Sequence, residues 1–137
     1  MIMRNLKPVL LVEDDKVDVM TVKRAFKELD IPNHLAEAGN GEEGLEYLKD
    51  NDNPCLILLD LNMPRMNGIE FLEEVKKDEY LRLIPVVVLT TAKDPKDKAD
   101  SYSRGVAGYM VKPVDYQHFV EMVRALNQYW TLNEIVE

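Results

Sequence analysis

Residues 56–68 have the sequence LILLDLNMPRMNG, in which four apolar residues run directly into Asp60 and a loop containing Pro64 and Gly68 follows. An apolar run without polar alternation is typical of a strand buried on both faces, as in parallel sheets. The last residue of such a strand lies at the carboxyl edge of the sheet, where open α/β folds carry their chemistry. The stretch therefore predicts that Asp60 is a carboxylate presented at a functional rim. A solvated aspartate at a strand end is the simpler alternative.

Three further apolar segments predict strands at residues 8–12, 85–89 and 108–111, and residues 34–38 predict a weaker strand near an edge of the sheet. Amphipathic helices are predicted between the strands and after the last one. The helix at residues 95–104 is highly charged and carries only a thin apolar stripe. Five strands that alternate with five helices indicate an α/β domain of parallel strands, joined by right-handed crossovers and covered by helices on both faces.

The composition of the chain argues against several classes of function, beginning with nucleic-acid binding. The chain has 137 residues and a net charge of −8, which disfavours direct binding to the phosphate backbone of nucleic acid. Its single cysteine, Cys55, cannot form an internal disulfide and is expected to be a small core residue. No stretch has the length of a membrane span, and the first residues lack the apolar core of a signal peptide. We therefore expect a single-domain cytoplasmic protein that does not bind membranes.

Polar side chains end four of the five predicted strands. Glu13 and Asp14 follow the first strand, Asp60 ends the third, Thr90 follows the fourth and Lys112 follows the fifth. Right-handed crossovers bring the carboxyl ends of all these strands to the same rim. Three acids, a hydroxyl and an ammonium group together are the set that a magnesium-dependent phosphoryl transfer requires.

Each group has a chemical reason to be there. Neighbouring carboxylates repel one another and need a hard cation such as Mg²⁺, which prefers oxygen ligands. A central carboxylate can act as a nucleophile and become an acyl phosphate. A lysine neutralises charge on the transferring phosphoryl group, and Thr90 supplies a hydrogen-bond donor to it.

Simpler roles exist for each of these residues alone. Glu13 and Asp14 could cap the first helix, Thr90 could be a solvated strand-end hydroxyl, and Lys112 could be a surface lysine. Their joint occurrence at successive strand ends favours the functional interpretation.

Four stretches of the chain closely resemble the receiver domain of two-component response regulators, namely VEDD at 12–15, LDLNMPRMNG at 59–68, LTTA at 89–92 and YMVKP at 109–113. Within that family the chain looks most like the stand-alone type related to cyanobacterial phytochrome response regulators, on the basis of residues 31–34, 84–91, 111–115 and the pair Tyr129–Trp130. The resemblance implies a flavodoxin-like, doubly wound, three-layer fold with strand order 2-1-3-4-5. It also implies one receiver domain over residues 1–137, with a core at about 6–129 and a C-terminal extension at 130–137.

The resemblance also implies roles for the rim residues. Asp60 would accept a phosphoryl group from a histidine on a sensor kinase or a histidine phosphotransfer protein. Asp14 would be a direct ligand of Mg²⁺, for which Mn²⁺ could substitute, and Glu13 would contribute through a water molecule. Asn62 would coordinate the ion through its backbone carbonyl. Lys112 would pair with Asp60 and afterwards with the phosphate.

The same resemblance predicts how phosphorylation of Asp60 would change the surface of the protein. Thr90 would move to bond the phosphoryl group, and Tyr109 would turn inward and repack the surface of the fourth helix, fifth strand and fifth helix. Asn62 and Ala92 would tune the lifetime of the phosphate, and the small Ala92 predicts an intermediate to moderately slow self-dephosphorylation. Pro113 would follow a cis peptide bond.

The residues at the end of the chain bear on how the signal would be passed to other proteins. No DNA-binding or enzymatic module follows the fifth helix, so the expected output is a protein contact. Residues 129–136 hold more large apolar groups than a free tail should. They are expected either to fold back on the fifth helix or to contribute to a homodimer through the switch surface.

Two other functional classes share parts of this pattern. A phosphatase of the haloacid dehalogenase type also uses a strand-end aspartate and magnesium, but it needs a second aspartate where this chain has Asn62. A pseudo-receiver or flavodoxin-like binding module would lack one of the rim groups, and none is missing. The sequence therefore predicts a signalling switch that catalyses only its own phosphorylation and dephosphorylation.

Overall fold

A computed structural model of the chain describes residues 7–132. Five strands and five helices alternate along them, with a short 3-10 turn at Leu81–Leu83 between the third helix and the fourth strand. The strands are β1 Val9–Val12, β2 Leu35–Ala38, β3 Leu56–Leu59, β4 Val86–Thr90 and β5 Gly108–Val111. The helices are α1 Lys16–Glu28, α2 Gly41–Asp50, α3 Gly68–Lys77, α4 Pro95–Ser103 and α5 Tyr116–Leu132.

All strand pairs are parallel, and the sheet has the order β2-β1-β3-β4-β5. The predicted doubly wound fold is therefore confirmed. β1 and β3 are neighbours in register, with Val12 opposite Leu59. Because the two strands end side by side, the residues that follow them meet at the carboxyl edge. The backbone amide of Asp60 extends this pairing by donating to the carbonyl of Val12 at 3.0 Å.

The sheet separates two apolar clusters. Every residue of β1 and β3 is buried, as their unbroken apolar sequences predict. One cluster lies under α1 and α5 and includes Phe26, Phe119 and Trp130. The other lies under α2 and α3 and includes Phe71 and Leu72. Burial on both faces fixes the sheet, and hence the rim, as a rigid platform.

Asp15 caps α1, and neither Glu13 nor Asp14 does. The side chain of Asp15 accepts hydrogen bonds from the amides of Val17 at 2.8 Å and Asp18 at 3.2 Å. The alternative in which Glu13 and Asp14 serve as helix caps is therefore wrong, because the cap lies one residue further on. The two preceding carboxylates remain available to the rim.

The thin apolar stripe predicted on α4 is not buried, since Pro95, Ala99 and Tyr102 are all exposed. Ser101 is the one buried residue of this helix, and its hydroxyl donates to the carbonyl of Asp97 at 2.8 Å. An ion pair helps to hold the helix end instead, with Arg104 Nη2 lying 2.7 Å from Glu73 Oε1 of α3. Since exposed ion pairs contribute little, α4 is the helix least anchored to the core.

The aromatic residues near the C-terminus belong to α5 itself. Trp130 is only 3% exposed and packs in the cluster under α1 and α5. The interpretation of residues 129–136 as a tail folded back on the fifth helix is therefore wrong for 129–132, because the helical spacing continues through Leu132. Residues 133–136 of that prediction, and the predicted start of the core near Leu6, lie outside the described part of the chain.

The peptide bond between Lys112 and Pro113 is trans, and residues 7–132 contain no cis peptide bond. The predicted cis bond is therefore wrong. Proline lowers the cost of a cis bond without removing the intrinsic preference for trans.

Among residues 7–132, no helix is both long and apolar enough to cross a membrane.

Candidate functional site

Glu13, Asp14 and Asp60 form one carboxylate cluster at the carboxyl edge of the sheet. Each contributes an oxygen atom, and these oxygens all lie within 4.8 Å of one another. Glu13 is 4% exposed and Asp60 is 7% exposed, whereas Asp14 is exposed to solvent. A set of hard oxygen donors of this kind fits a divalent cation such as Mg²⁺ or Mn²⁺. The prediction that these three acids meet is confirmed.

Burial perturbs the acidity of Glu13. Desolvation raises the pKa of its carboxyl group to about 7, the neighbouring charge of Asp60 adds to this rise, and Lys112 opposes it. A cation bound by the cluster would favour the ionised form and so would compete with the proton. Cation binding and proton release are therefore coupled at this position.

Lys112 is held by two carboxylates. Its Nζ donates hydrogen bonds to Glu13 Oε1 and to Asp18 Oδ2, the latter at 2.9 Å. Among the described residues no hydrogen bond joins Lys112 to Asp60, but the negative charge of Asp60 helps to raise the pKa of Lys112. The pairing of Lys112 with Asp60 therefore stays a prediction. Glu13 and Asp18 use two of the three N–H donors of the ammonium group.

The environment of Lys112 favours its charged form. The side chain is only 8% exposed. Burial alone would lower its pKa, but the hydrogen bonds from Lys112 to Glu13 and Asp18 outweigh burial and raise it. The lysine thus stays an ammonium group beside the carboxylate cluster, as the charge-neutralising role requires.

Asp18 was not predicted from the sequence. It lies in the first turn of α1, three residues after the helix cap Asp15. An acid in a first turn is common because it complements the helix dipole, so its sequence position carries no specific signal. Only the packing of α1 beside the end of β5 brings Asp18 to Lys112.

Thr90 and Tyr109 meet at the backbone of Ala92. Thr90 is fully buried, and its Oγ1 accepts a hydrogen bond from the Ala92 amide at 3.3 Å. Tyr109 is half-buried, and its hydroxyl donates to the Ala92 carbonyl at 2.8 Å. Thr90 is therefore not a solvated strand-end hydroxyl. Its hydroxyl proton remains free to be donated, because the oxygen acts as an acceptor in this contact.

The loop after Asp60 is fixed at both ends. The amide of Gly68 donates to the carbonyl of Leu61 at 3.0 Å, and the amide of Gly41 donates to the carbonyl of Met66 at 2.9 Å. A Cβ atom on Gly68 would lie 2.5 Å from the Asp60 carbonyl oxygen, so only glycine fits there. The loop carries Asn62, whose side chain is exposed.

Comparison with known proteins places this geometry in context. A family model described as the response regulator receiver domain matches residues 9–124. The chain is 35% identical over 127 residues to the probable methanogenesis regulatory protein FilR2 of Methanothrix harundinacea, covering 89% of this chain and 82% of FilR2. It is also 35% identical over 130 residues to response regulator Rcp1 of Synechocystis, covering 90% of this chain and 88% of Rcp1.

Solved structures give the same result. The phosphorylated cyanobacterial phytochrome response regulator RcpA superposes with a TM-score of 0.89 at 32% identity, covering 96% of this chain and 99% of RcpA. The Mn²⁺-bound form of Rcp1 superposes with a TM-score of 0.87 at 33% identity, covering 96% of this chain and 99% of that chain. The predicted similarity to phytochrome response regulators is confirmed.

Proposed function

The chain belongs to the response regulator receiver domain family, and from this membership we propose that it is a phosphorylation-dependent switch with Asp60 as the phosphoryl acceptor. The observation that carries the proposal is the meeting of Glu13, Asp14 and Asp60 within 4.8 Å of one another. Lys112 adds a cation beside them by its hydrogen bond to Glu13. Family membership favours this role over a haloacid dehalogenase-type phosphatase or a flavodoxin-like binding module.

The proposed donor is a phosphohistidine on a sensor histidine kinase or a histidine phosphotransfer protein. A carboxylate oxygen of Asp60 attacks phosphorus, the phosphorus–nitrogen bond of the donor breaks, and the bonding electrons return to the histidine ring. The product is an acyl phosphate on Asp60. The low exposure of Asp60 limits access of water to this product.

We propose that the carboxylate cluster holds Mg²⁺, with Mn²⁺ as a substitute. Asp14 and Asp60 would bind it directly, Asn62 through its backbone carbonyl, and Glu13 through a water molecule. The bound ion would neutralise charge on the transferring phosphoryl group. The relative Rcp1 has been solved in a Mn²⁺-bound form, which supports the proposal that this chain binds a divalent ion.

Lys112 changes partners in this proposal. It pairs with Glu13 before transfer, and the arriving phosphoryl group brings about −1.5 to −2 units of charge and three acceptor oxygens. The ammonium group has three N–H donors, so it can bond a phosphoryl oxygen and still keep a carboxylate partner.

The proposed output begins at Thr90. Its free hydroxyl proton would be donated to the phosphoryl group, and any movement of Thr90 would pull on the Ala92 amide that it accepts from. The Ala92 carbonyl in turn bonds Tyr109, which lies in β5. A change at Asp60 thereby reaches the surface of α4, β5 and α5, and the weak anchoring of α4 makes that surface easy to repack.

This surface is also the proposed contact with other proteins. Tyr129 is 58% exposed and Leu132 is 84% exposed on α5, so each offers apolar area to a second copy of the chain or to a downstream partner. Sedimentation of the wild type and of Leu132→Asp tests the homodimer, which requires the variant to shift toward monomer. Output without nucleic acid and a cytoplasmic location remain predictions.

Incubation with acetyl phosphate and Mg²⁺, followed by intact mass measurement, tests the central proposal. The wild type should gain the mass of one phosphoryl group, and Asp60→Asn should gain none. An unmodified wild type would contradict the proposed switch. Equal modification of Asp60→Asn would show that another residue is the acceptor.

A further inference from the structure

We infer that Asp18 is a positioning residue for phosphoryl transfer, acting through Lys112. This inference rests on the proposed function, because it concerns the lysine that would bind the phosphoryl group. It adds to the site a residue of α1 that belongs to neither the carboxylate cluster nor the threonine–tyrosine pair.

The geometry around the ammonium group carries the inference. Asp18 Oδ2 lies 2.9 Å from Lys112 Nζ, which is a charge-assisted hydrogen bond of ordinary length. Lys112 is 8% exposed, whereas Asp18 is 36% exposed. A lysine side chain has four rotatable carbon–carbon bonds, so a fixed partner is needed to keep its nitrogen in one place.

Asp18 is better suited than Glu13 to hold that nitrogen during transfer. Glu13 belongs to the carboxylate cluster and, in the proposed function, would also serve the bound cation through a water molecule. Asp18 lies outside the cluster, in a helix turn that the Asp15 side chain caps. Its position therefore does not change with the occupancy of the cluster.

The ammonium group of Lys112 has one hydrogen-bond donor left after its two carboxylate partners. Of the three N–H groups on Lys112, one goes to Glu13 and one to Asp18, and the third remains for a phosphoryl oxygen. Removing Asp18 frees the ammonium group to follow Glu13 or solvent. The third donor would then reach the phosphoryl group in fewer of the molecules.

The packing of α1 against the sheet also supports a fixed position for Asp18. α1 buries Val22, Ala25 and Phe26 against the sheet, so the first turn cannot drift away from the end of β5. The pair between Asp18 and Lys112 thus joins a rigid helix to the strand end that carries the lysine. A solvent-exposed helix acid with no such partner would serve only the helix dipole.

The test measures the rate of phosphorylation by acetyl phosphate over a range of concentrations, in the full chain with saturating Mg²⁺. Asp18→Ala should lower the limiting rate constant roughly tenfold, the effect on a rate of losing one hydrogen bond between charged groups. The half-saturating acetyl phosphate concentration and the Mg²⁺ dissociation constant should stay unchanged, whereas the melting temperature should fall slightly because a charge-assisted hydrogen bond is lost. Asp18→Asn should recover most of the rate, because its amide oxygen accepts the same hydrogen bond.

Two comparisons separate positioning from a general effect of charge. Glu46→Ala removes an exposed carboxylate from the middle of α2 and should leave the rate unchanged. In a Lys112→Ala background, Asp18→Ala should cause no further loss, because the residue through which it acts is gone.

Three results would overturn the inference. They are an unchanged rate in Asp18→Ala, a faster rate in that variant, or a further full loss in the Lys112→Ala background. If the wild type itself gains no phosphoryl group, the proposed switch and the role of Asp18 are both wrong. If the wild type and Asp18→Ala are phosphorylated equally fast, only the role of Asp18 is wrong.

Discussion

The Tyr109 hydroxyl donates to the Ala92 carbonyl at 2.8 Å, and this bond joins the edge strand β5 to the loop that follows β4. The Ala92 amide donates to Thr90 in the same peptide region. One loop residue with a methyl side chain therefore connects the two proposed switch residues through its backbone alone. The connection survives most side-chain replacements at position 92 and depends on the hydroxyl at position 109.

Tyr109→Phe removes that hydroxyl and should destabilise the protein by about 0.5–1.5 kcal/mol, the usual net worth of one hydrogen bond. Urea unfolding monitored by circular dichroism measures the change. Tyr102→Phe is the matched control, because Tyr102 is exposed on α4 and should lose little or no stability. Equal losses in the two variants would contradict a special role for the Tyr109 bond.

Cation binding at the carboxylate cluster should strengthen as pH rises toward about 7 and level off above it. The pKa of Glu13 is raised to about 7, so below that pH a proton must leave before the carboxylate can serve a cation. Calorimetric titration with Mg²⁺ at several pH values measures the effect, and Glu13→Gln should flatten it. A wild-type affinity that does not change with pH would contradict the assignment.

The same raised pKa affects stability in the absence of a cation. The folded protein holds a proton on Glu13 over a range where the unfolded chain, with a pKa near 4.5, has released it. The stabilisation from this group is complete below pH 4.5 and is lost as pH rises toward about 7. Because many other acids titrate below that range, the comparison of wild type with Glu13→Gln isolates this contribution.

Gly68→Ala should destabilise the protein by about 1–3 kcal/mol, the range for overpacking, and disturb the loop beside Asp60. The added methyl group would lie 2.5 Å from the Asp60 carbonyl oxygen and 2.7 Å from the Leu61 Cα, and both are backbone atoms. Gly108→Ala is the control, since its nearest neighbours are 3.8 Å away. Denaturant unfolding of both variants distinguishes steric overlap from the general effect of replacing glycine.

Ala92→Arg should slow self-dephosphorylation several-fold. The alanine side chain is too small to shield an attacking water molecule, whereas a long side chain at this half-buried position can cover the acyl phosphate. The decay of phosphorylated protein, followed by mass after removal of acetyl phosphate, measures the lifetime. Ala99→Arg places the same side chain on the exposed face of α4 and should leave the lifetime unchanged. Equal decay in all three proteins would show that position 92 does not tune it.

Most of the sheet and of the residues at its carboxyl edge could be predicted from the sequence, because the patterns that indicate them lie within short segments. The unbroken apolar sequences of β1 and β3 indicate burial on both faces, and crossover handedness then places Asp60 beside Glu13. A functional side chain at a strand end can be predicted from the sequence wherever a polar residue directly follows an apolar run.

The partners of Lys112 could not be predicted in the same way. Which acceptors an ammonium group reaches depends on how α1 packs beside β5, and that packing involves residues 94 positions apart. Whether the thin apolar stripe of α4 is buried could not be predicted either, because a weak periodic pattern does not decide whether a helix face is covered. Helical spacing places Trp130 on the core-facing side of the last helix, and its burial confirms that prediction. The end of α5 could not be predicted, because the sequence contains no stop signal that marks it.

Three consecutive acids follow β1, and they do different work: Glu13 bonds Lys112, Asp14 faces solvent within the carboxylate cluster, and Asp15 caps α1. This division makes the length of the turn as important as its chemistry. Deleting or inserting one residue would keep the acidic character of the segment while exchanging the tasks of its members. The segment should therefore tolerate substitution of one acid by another far better than any change in its number of residues.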